Sequence, residues 1–317
     1  MWFRNIFLLF VSSLLMVGSF ASALDLSKVY EPNPPTTNRI FMTVRFFDSV
    51  AKKLKEQEIT IDIYGTVVPK TAFNFAALAE GVKARIQGQD PDDIKVLGYK
   101  GTKFTKVISN GLMLGGDIIP EIGPFSVHGP AFPDENFFLK HDRPGRVAMA
   151  NNGPDSNNSQ FYISLKLEPA TELDDRDVVF GQVVSGLEGL LDGMKNVELG
   201  PNNKPVKDVE ITYCVVSELK LADKDALHTA YIEKVTKFKQ GDQSKGQTMK
   251  QMLAEGSKKK TTTKKSKASG KSSNSILGFQ PIQILYGILG LAALVVLLRI
   301  ARKYFSRSSN VVSMRTD

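Results

Sequence analysis

No charged residue occurs between Lys271 and Arg299, and this apolar stretch does most to limit what the chain can fold into. Ile276 to Leu298 is long enough to cross about 30 Å of hydrocarbon as a helix. It reads as a single transmembrane helix, with a buried soluble helix as the alternative. Gln280, Pro281 and Gln283 weaken its first turns, which leaves Ile284 to Leu298 as the firm apolar core. At the other end Arg4 precedes an uncharged run from Ile6 to Phe20 and the small residues Ala21-Ser22-Ala23. That order suits a signal peptide over 1–23 cleaved after Ala23, although an uncleaved anchor helix fits the same residues. Roughly the middle two-thirds of the 317 residues is left to form a globular core.

The formal charge of +8 invites a nucleic-acid partner until it is divided along the chain. Met1 to Gln240 holds 27 Lys plus Arg against 30 Asp plus Glu, Gly241 to Lys271 holds 9 against 2, and Arg299 to Asp317 holds 5 against 1. The basic residues therefore sit in a stalk and a tail, and no nucleic-acid partner is expected. Basic clusters flank both sides of the span, so the signal peptide decides orientation. It sends the domain into the secretory lumen and leaves 299–317 as a cytosolic tail, a single-pass type I topology in a secretory-pathway membrane. The final residues Ser313 to Asp317 resemble no luminal retention signal, so endoplasmic reticulum, Golgi, vacuole and plasma membrane all remain open. Cys214 is the only cysteine, which excludes an intrachain disulfide, and three scattered histidines make a metal site unexpected. Nothing in the composition indicates an oligomeric state.

Between the apolar ends the pattern is mainly β. Tyr30 to Asn38 is Pro-rich and belongs to an extended lead-in over 24–39. Ile40 to Phe47 and Ile59 to Tyr64 alternate with a period of two, as half-buried strands do, and Val209 to Val216 reads as a closing strand. Pro69-Lys70-Thr71 opens a helix that carries Ala72, Phe73, Phe75, Ala76 and Ala79 and stops at Gly81. A second short helix is expected over Leu187 to Met194, and Val82 to Leu97 reads as a polar loop. Leu227, Tyr231, Val235 and Phe238 share one helical face in an amphipathic helix over 220–240, suited to packing on the domain or to a partner. Gly241 to Ser275, rich in Lys, Ser, Thr, Gly and Gln, reads as a basic flexible linker.

Five ordered blocks have no periodic explanation. They are Val67 to Phe75, Gly98-Tyr99-Lys100-Gly101 running to Gly115-Gly116-Asp117, Asp134 to His141, Met149 to Phe161, and Val178-Val179-Phe180-Gly181. Together they resemble the cyclophilins, the peptidyl-prolyl cis-trans isomerases, over about Phe41 to Leu219. With both apolar ends added, the arrangement resembles the membrane-anchored secretory cyclophilins of fungi. The resemblance implies a closed eight-stranded antiparallel barrel capped by two helices over 40–219. It also implies proline-containing polypeptide clients, help with protein folding, and no cofactor. The family's reaction is rotation about the bond preceding proline, against a barrier of about 18–20 kcal/mol from amide resonance.

Mapped onto this chain, the family's catalytic Arg becomes Lys106 and the His before it becomes Thr105. Lysine keeps the charge but not the planar fork of donors. Without gaps, Gly111 stands where a pocket Phe is expected, Leu112 where Met is, and Leu114 where Gln is; a slip of one residue would bring Met113 to the pocket beside Leu112. Ala150 and Asn151 match the edge that holds substrate backbone, and Gln160 matches a polar contact. Tyr162 replaces a pocket Phe, Leu173 keeps a pocket Leu, and Asp177 replaces a pocket His. Glu172 replaces the Trp that supports cyclosporin binding, so weak drug affinity is expected. Asn157-Asn158-Ser159 is a sequon that a lumenal domain would expose to glycosylation at Asn157, unless it only shapes the family's loop. These substitutions leave two readings: an isomerase with weak or altered activity, or a tethered peptide-binding chaperone without turnover.

Overall fold

The structure is a computed structural model that describes residues 24–85, 94–119 and 125–265. The expected signal peptide and transmembrane span lie outside the described residues. No helix among the described residues is long and apolar enough to cross a membrane.

Thirteen strands occur in the described residues: β1 (Val29–Tyr30), β2 (Asn38–Asp48), β3 (Lys53–Ile63), β4 (Val82–Arg85), β5 (Ile94–Leu97), β6 (Lys103–Phe104), β7 (Lys106–Val107), β8 (Leu112–Gly115), β9 (Arg146–Met149), β10 (Phe161–Ser164), β11 (Val179–Ser185), β12 (Val209–Glu218) and β13 (Gln247–Thr248). Nine of them form one antiparallel sheet in the order β6-β12-β2-β3-β11-β9-β10-β8-β7. Its two terminal segments are consecutive in the chain, separated only by Thr105, whose N–H donates to the Leu114 carbonyl at 2.8 Å. Counted as one interrupted strand, Lys103 to Val107 makes this an eight-stranded barrel that meets itself. Neither of its edges is left as a long open strand.

Alternation along the strands fills the interior. Ile40, Met42, Val44, Phe46, Ile59, Ile61 and Ile63 from β2 and β3 share one buried cluster with Met113, Val147, Met149, Phe161, Ile163 and Phe180. Two helices add to the same cluster. Helix α1 (Pro69–Glu80) contributes Ala72, Phe75, Leu78 and Ala79, and α2 (Leu187–Lys195) contributes Leu187, Leu190, Leu191 and Met194. Proline occupies the first turn of α1, and Gly81 ends it at φ 98° with its N–H on the Ala77 carbonyl. The free N–H groups of that first turn are met by Glu135, whose carboxylate accepts from Lys70 N, Thr71 N and Thr71 Oγ1 at 2.9 Å each.

Two segments differ from the sequence expectation. Val82 to Leu97 is not a simple loop, because β4 and β5 pair as an antiparallel hairpin with Val82 opposite Leu97 and Arg85 opposite Ile94. The second difference lies past the barrel. Helix α3 (Lys224–Lys239) docks through buried Tyr231 and Val235, with Asp223 capping it and Lys237 paired to Glu233 at 2.6 Å. Leu227, expected on the same face, is exposed. Beyond it the chain does not run on as a flexible linker from Gly241: β13 pairs with β1, and α4 (Met249–Lys265) follows directly. Composition hides this because few residues do the packing: Met249 and Met252 are buried in the main cluster and Leu253 packs against it.

Met252 closes over a buried ionic group. Arg143 and Arg146 are 1% and 2% exposed, and both donate to Asp142. Arg143 also reaches the Glu31 carbonyl and the Met252 sulfur, and Arg146 reaches Asn33 Oδ1 at 3.1 Å. Both guanidinium groups thus fasten the lead-in to the barrel, and Arg143 also holds the C-terminal helix. Burial alone would raise the Asp142 carboxyl, but Arg146 and Arg143 outweigh it and hold the group well below the usual carboxylate range. Because the folded pKa is depressed, this stabilisation is present above the unfolded carboxylate value near 4 and is lost as pH falls through the folded one. Asp142→Asn, which leaves two buried cations without their anion, is expected to cost about 3–5 kcal/mol in chemical denaturation, with the wild-type advantage shrinking below about pH 4.

Candidate active site

Because side chains alternate along a strand, a residue flanked by core positions faces outward. In β10, Phe161 and Ile163 enter the core, so Tyr162 faces out. Register then builds a row across the barrel's outer surface. Lys106 on β7 lies opposite Leu114 on β8, Leu114 opposite Tyr162, Tyr162 opposite Ala148 on β9, and Ala148 opposite Val179 on β11. Ala148, Tyr162 and Val179 form a second apolar cluster with Tyr64 and Leu139, and Leu112, Leu114, Ala150 and Leu173 pack against it. This apolar cluster on the outer face, with the Lys106 cation at its edge, is the candidate proline pocket; Ala148, Tyr162 and Val179 are buried within it, and Leu112, Leu114 and Leu173 are its half-buried members. Among the described residues no carboxylate lies within 4.0 Å of Lys106.

The register bears on the alignment left open by sequence. Met113 is fully buried in the core, while Leu112 and Leu114 face the pocket, so the chain runs without a slip. Gly111 supplies no pocket side chain, and a Cβ there would come within 2.6 Å of the Ile108 Cγ2. Apolar bulk therefore comes from Leu112, and Leu114 fills the place beside Lys106 with a methyl-bearing branch instead of a donor and acceptor.

The Asn-rich run owes its composition to turn-making. Asn151 Oδ1 accepts from Gly153 N, Asn158 Oδ1 accepts from Gln160 N at 2.8 Å, and Asn157 Nδ2 donates to Phe132 O and, at 2.7 Å, to Asp134 Oδ1. Asn74 from α1 and Tyr99 from the second motif donate to the carbonyls of Asn158 and Ser159, both at 2.9 Å. Gly116 completes the join at φ 89°, where a Cβ would lie 2.4 Å from the Ser159 carbonyl. The loop carries Ala150, Asn151 and Gln160, all half-buried, to the rim of the candidate pocket.

Three expected positions need correction or qualification. Asn157 is fully buried with its amide nitrogen committed twice, so a folded molecule has no room for a glycan there. Thr105 does not join the pocket. It lies at the break in the closing strand and lines a separate cleft with Phe104, Asp117, Ile118, Lys204 and Asp208. Asp177 is buried beneath the pocket, where its Oδ2 accepts from the Tyr162 hydroxyl at 2.9 Å. Glu172, at the family's Trp position, is exposed and paired with Lys166 at 2.7 Å.

Sequence reasoning missed His141 and Asp174 as parts of this floor. His141 Nε2 meets the Tyr162 hydroxyl at 2.8 Å, and its Nδ1 meets Asp174 Oδ1 at 2.9 Å. The available signal was the paired change to Tyr162 and Asp177, two polar side chains where the family places an aromatic hydrocarbon and a histidine. Burial, then the charge of Asp177, pushes the Tyr162 hydroxyl far above the ordinary tyrosine range, so it stays protonated and donates.

Comparison with known proteins agrees with this geometry. Residues 49–216 match the family model described as cyclophilin type peptidyl-prolyl cis-trans isomerase. This chain is a cyclophilin. Among its relatives in Saccharomyces cerevisiae, it is 50% identical to peptidyl-prolyl cis-trans isomerase CPR4 over 230 residues, which span 73% of this chain and 72% of that protein. It is 33% identical to peptidyl-prolyl cis-trans isomerase CYP8 over 299 residues, spanning 94% of this chain and 90% of the relative. Peptidyl-prolyl cis-trans isomerase B is 41% identical over 171 residues, or 53% of this chain and 77% of the relative. Cyclophilin domains bind proline-containing peptides. Peptide mass spectrometry of the folded protein after expression through the secretory pathway is expected to find Asn157 unmodified; a glycan there on active, soluble barrel would contradict the burial.

Proposed function

We propose that this cyclophilin acts as a peptidyl-prolyl cis-trans isomerase of reduced activity, helping proteins of the secretory pathway to fold while tethered by one C-terminal span. The supporting observation is the row Lys106, Leu114, Tyr162 and Ala148, which sets a single cation beside an apolar pocket and below the polar rim of Asn151 and Gln160. A proline ring enters among Leu112, Tyr162 and Leu173. The peptide backbone lies along Ala150 and Asn151, with Gln160 as a polar contact.

Nothing covalent breaks in this reaction, so the residues act by shape and charge alone. As the amide twists, resonance is lost and its nitrogen regains a lone pair. The Lys106 ammonium donates toward that lone pair and stabilises the twisted state more than either planar form, which is the condition for acceleration. Two features reduce its effect. An ammonium on four flexible carbons is poorly fixed compared with a guanidinium fork, and Leu114 gives it no hydrogen-bonding partner across the strands.

That apolar neighbour also favours a second reading, a membrane-tethered chaperone or adaptor that holds proline segments without turning them over. A protease-coupled isomerisation assay with an Ala-Pro peptide separates the two. The isomerase reading expects a rate above buffer, a loss of about tenfold or more in kcat/KM for Lys106→Ala, and a gain for the double change Lys106→Arg with Leu114→Gln. Rates equal to buffer with peptide binding intact favour the holding reading. The topology has a separate test: in sealed microsomes the barrel is expected to resist added protease until detergent is present, and digestion without detergent would overturn the lumenal placement. Cyclosporin is expected to inhibit weakly, because Glu172 offers a charge paired to Lys166 where an indole would pack.

A further inference from the structure

Four side chains form an unbroken chain beneath the pocket. Asp174 Oδ1 meets His141 Nδ1 at 2.9 Å, His141 Nε2 meets the Tyr162 hydroxyl at 2.8 Å, and the hydroxyl meets Asp177 Oδ2 at 2.9 Å. These are three hydrogen-bond contacts, and each needs one hydrogen. With both carboxylates ionised, a neutral imidazole supplies one hydrogen and the tyrosine supplies one. The assembly is one hydrogen short.

The shortage falls on Tyr162. Asp174 Oδ1 also accepts the backbone N–H of His141 at 2.8 Å, so this carboxylate is fixed against the imidazole and keeps the Nδ1 hydrogen. The Tyr162 hydroxyl then has to choose between the bare Nε2 of His141 and the Asp177 carboxylate. Either choice leaves two lone pairs facing each other across less than 3 Å in a buried site, a costly arrangement. One added proton removes the conflict: Nδ1–H donates to Asp174, Nε2–H donates to the hydroxyl oxygen, and the hydroxyl donates to Asp177.

We propose that His141 is a positioning residue of the proline pocket, and that uptake of one proton by the Asp174–His141–Tyr162–Asp177 chain fixes the Tyr162 ring and strengthens capture of proline peptides as pH falls. The idea rests on the reading of this pocket as the peptide site. Tyr162 and Asp177 are both needed for it, since a phenylalanine at the first position would cut the chain and a residue without an acceptor at the second would end the conflict. It therefore gives the two departures from the family pattern a joint role.

The surroundings set the direction of titration. Asp174 and Asp177 lie on the segment that follows Leu173, with Arg176 Nε 3.5 Å from Asp177; Arg146 faces the site from β9, and Tyr64 packs against Tyr162 from the turn after β3. Glu172 is exposed and held by Lys166. Burial lowers the His141 pKa below the ordinary imidazole value, while Asp174 and Asp177 oppose the shift and Arg146 adds to it. Protons are thus gained on acidification, and the titration belongs to the coupled group as a whole.

The full-length protein in detergent micelles, labelled with 15N-histidine, provides the test, because only His128, His141 and His228 contribute signals. The His141 ring nitrogens are expected to titrate, and affinity for a fluorescein-labelled Ala-Pro peptide to rise by about two- to tenfold across the same midpoint, the worth of one hydrogen bond. In Tyr162→Phe, which keeps the ring, the His141 midpoint is expected to move and the affinity to become independent of pH over that range. His141→Gln is expected to flatten the same profile. Peptide binding that is flat with pH in the wild type, or a slope that survives in Tyr162→Phe, overturns the proposal while leaving the pocket in place. Absence of peptide binding at every pH, with His141 still titrating, overturns the pocket reading and this inference with it.

Discussion

Everything at the site depends on the antiparallel register of the strand Phe161–Ser164 with its two neighbours. Phe161 opposite Gly115 and Met149 places an aromatic ring in the core, where it packs on Phe75 and Tyr99 at centroid distances of 5.0 Å. Tyr162 is thereby forced outward between Leu114 and Ala148. A slip of one residue would exchange these faces, burying a hydroxyl in the barrel and exposing Phe161 and Ile163. The pocket is therefore a by-product of core packing: the side chains that fill the barrel decide which ones are left to meet a substrate.

The same economy appears where the chain leaves the barrel. Arg143 and Arg146 are too buried to be solvated, and their charge is met by Asp142, Asn33 Oδ1, the Glu31 carbonyl and the sulfur of Met252. Arg143 also lies over the Tyr30 ring, 4.8 Å from its centre. Such a group adds little net stability compared with a hydrocarbon core, but it fixes where the lead-in and the C-terminal helix dock.

Much of this was legible in the sequence, for reasons that can be named. Period-two alternation gave β2, β12 and the apolar half of β3 from Ile59 onward, while the charged half from Lys53 to Glu58 resembled a connection, and the Pro69 and Gly81 punctuation gave α1 almost to its ends. The motif blocks named Lys106, Leu112, Leu114, Tyr162 and Leu173 as one group; strand register sets Lys106, Leu114 and Tyr162 in a row, and Leu112 and Leu173 pack against the same apolar cluster. What escaped was long-range and sparse. Two methionines and one leucine in a Lys- and Ser-rich stretch were too few to reveal that α4 packs, and the polar residues before Leu97 hid a hairpin whose pairing is made by backbone groups. The sequon at Asn157 was visible, but its burial follows from partners at Phe132 and Asp134, more than twenty residues away. His141 was visible too. Its role needed Tyr162 and Asp177 brought within hydrogen-bonding distance by three separate segments.

On the proposed function, a proline peptide binds and turns on the outer-face row from Lys106 to Ala148, with Leu112, Gln160 and Leu173 around it. The most direct measurement is an amide NMR titration of the 15N-labelled protein with an Ala-Pro peptide, coupled to exchange spectroscopy on the peptide. Shift changes centred on Lys106, Leu112, Ala150, Gln160 and Tyr162 are expected, with cis-to-trans exchange peaks that weaken in Lys106→Ala. Shift changes confined to other surfaces, or a peptide that leaves these amides unmoved at saturating concentration, would contradict it.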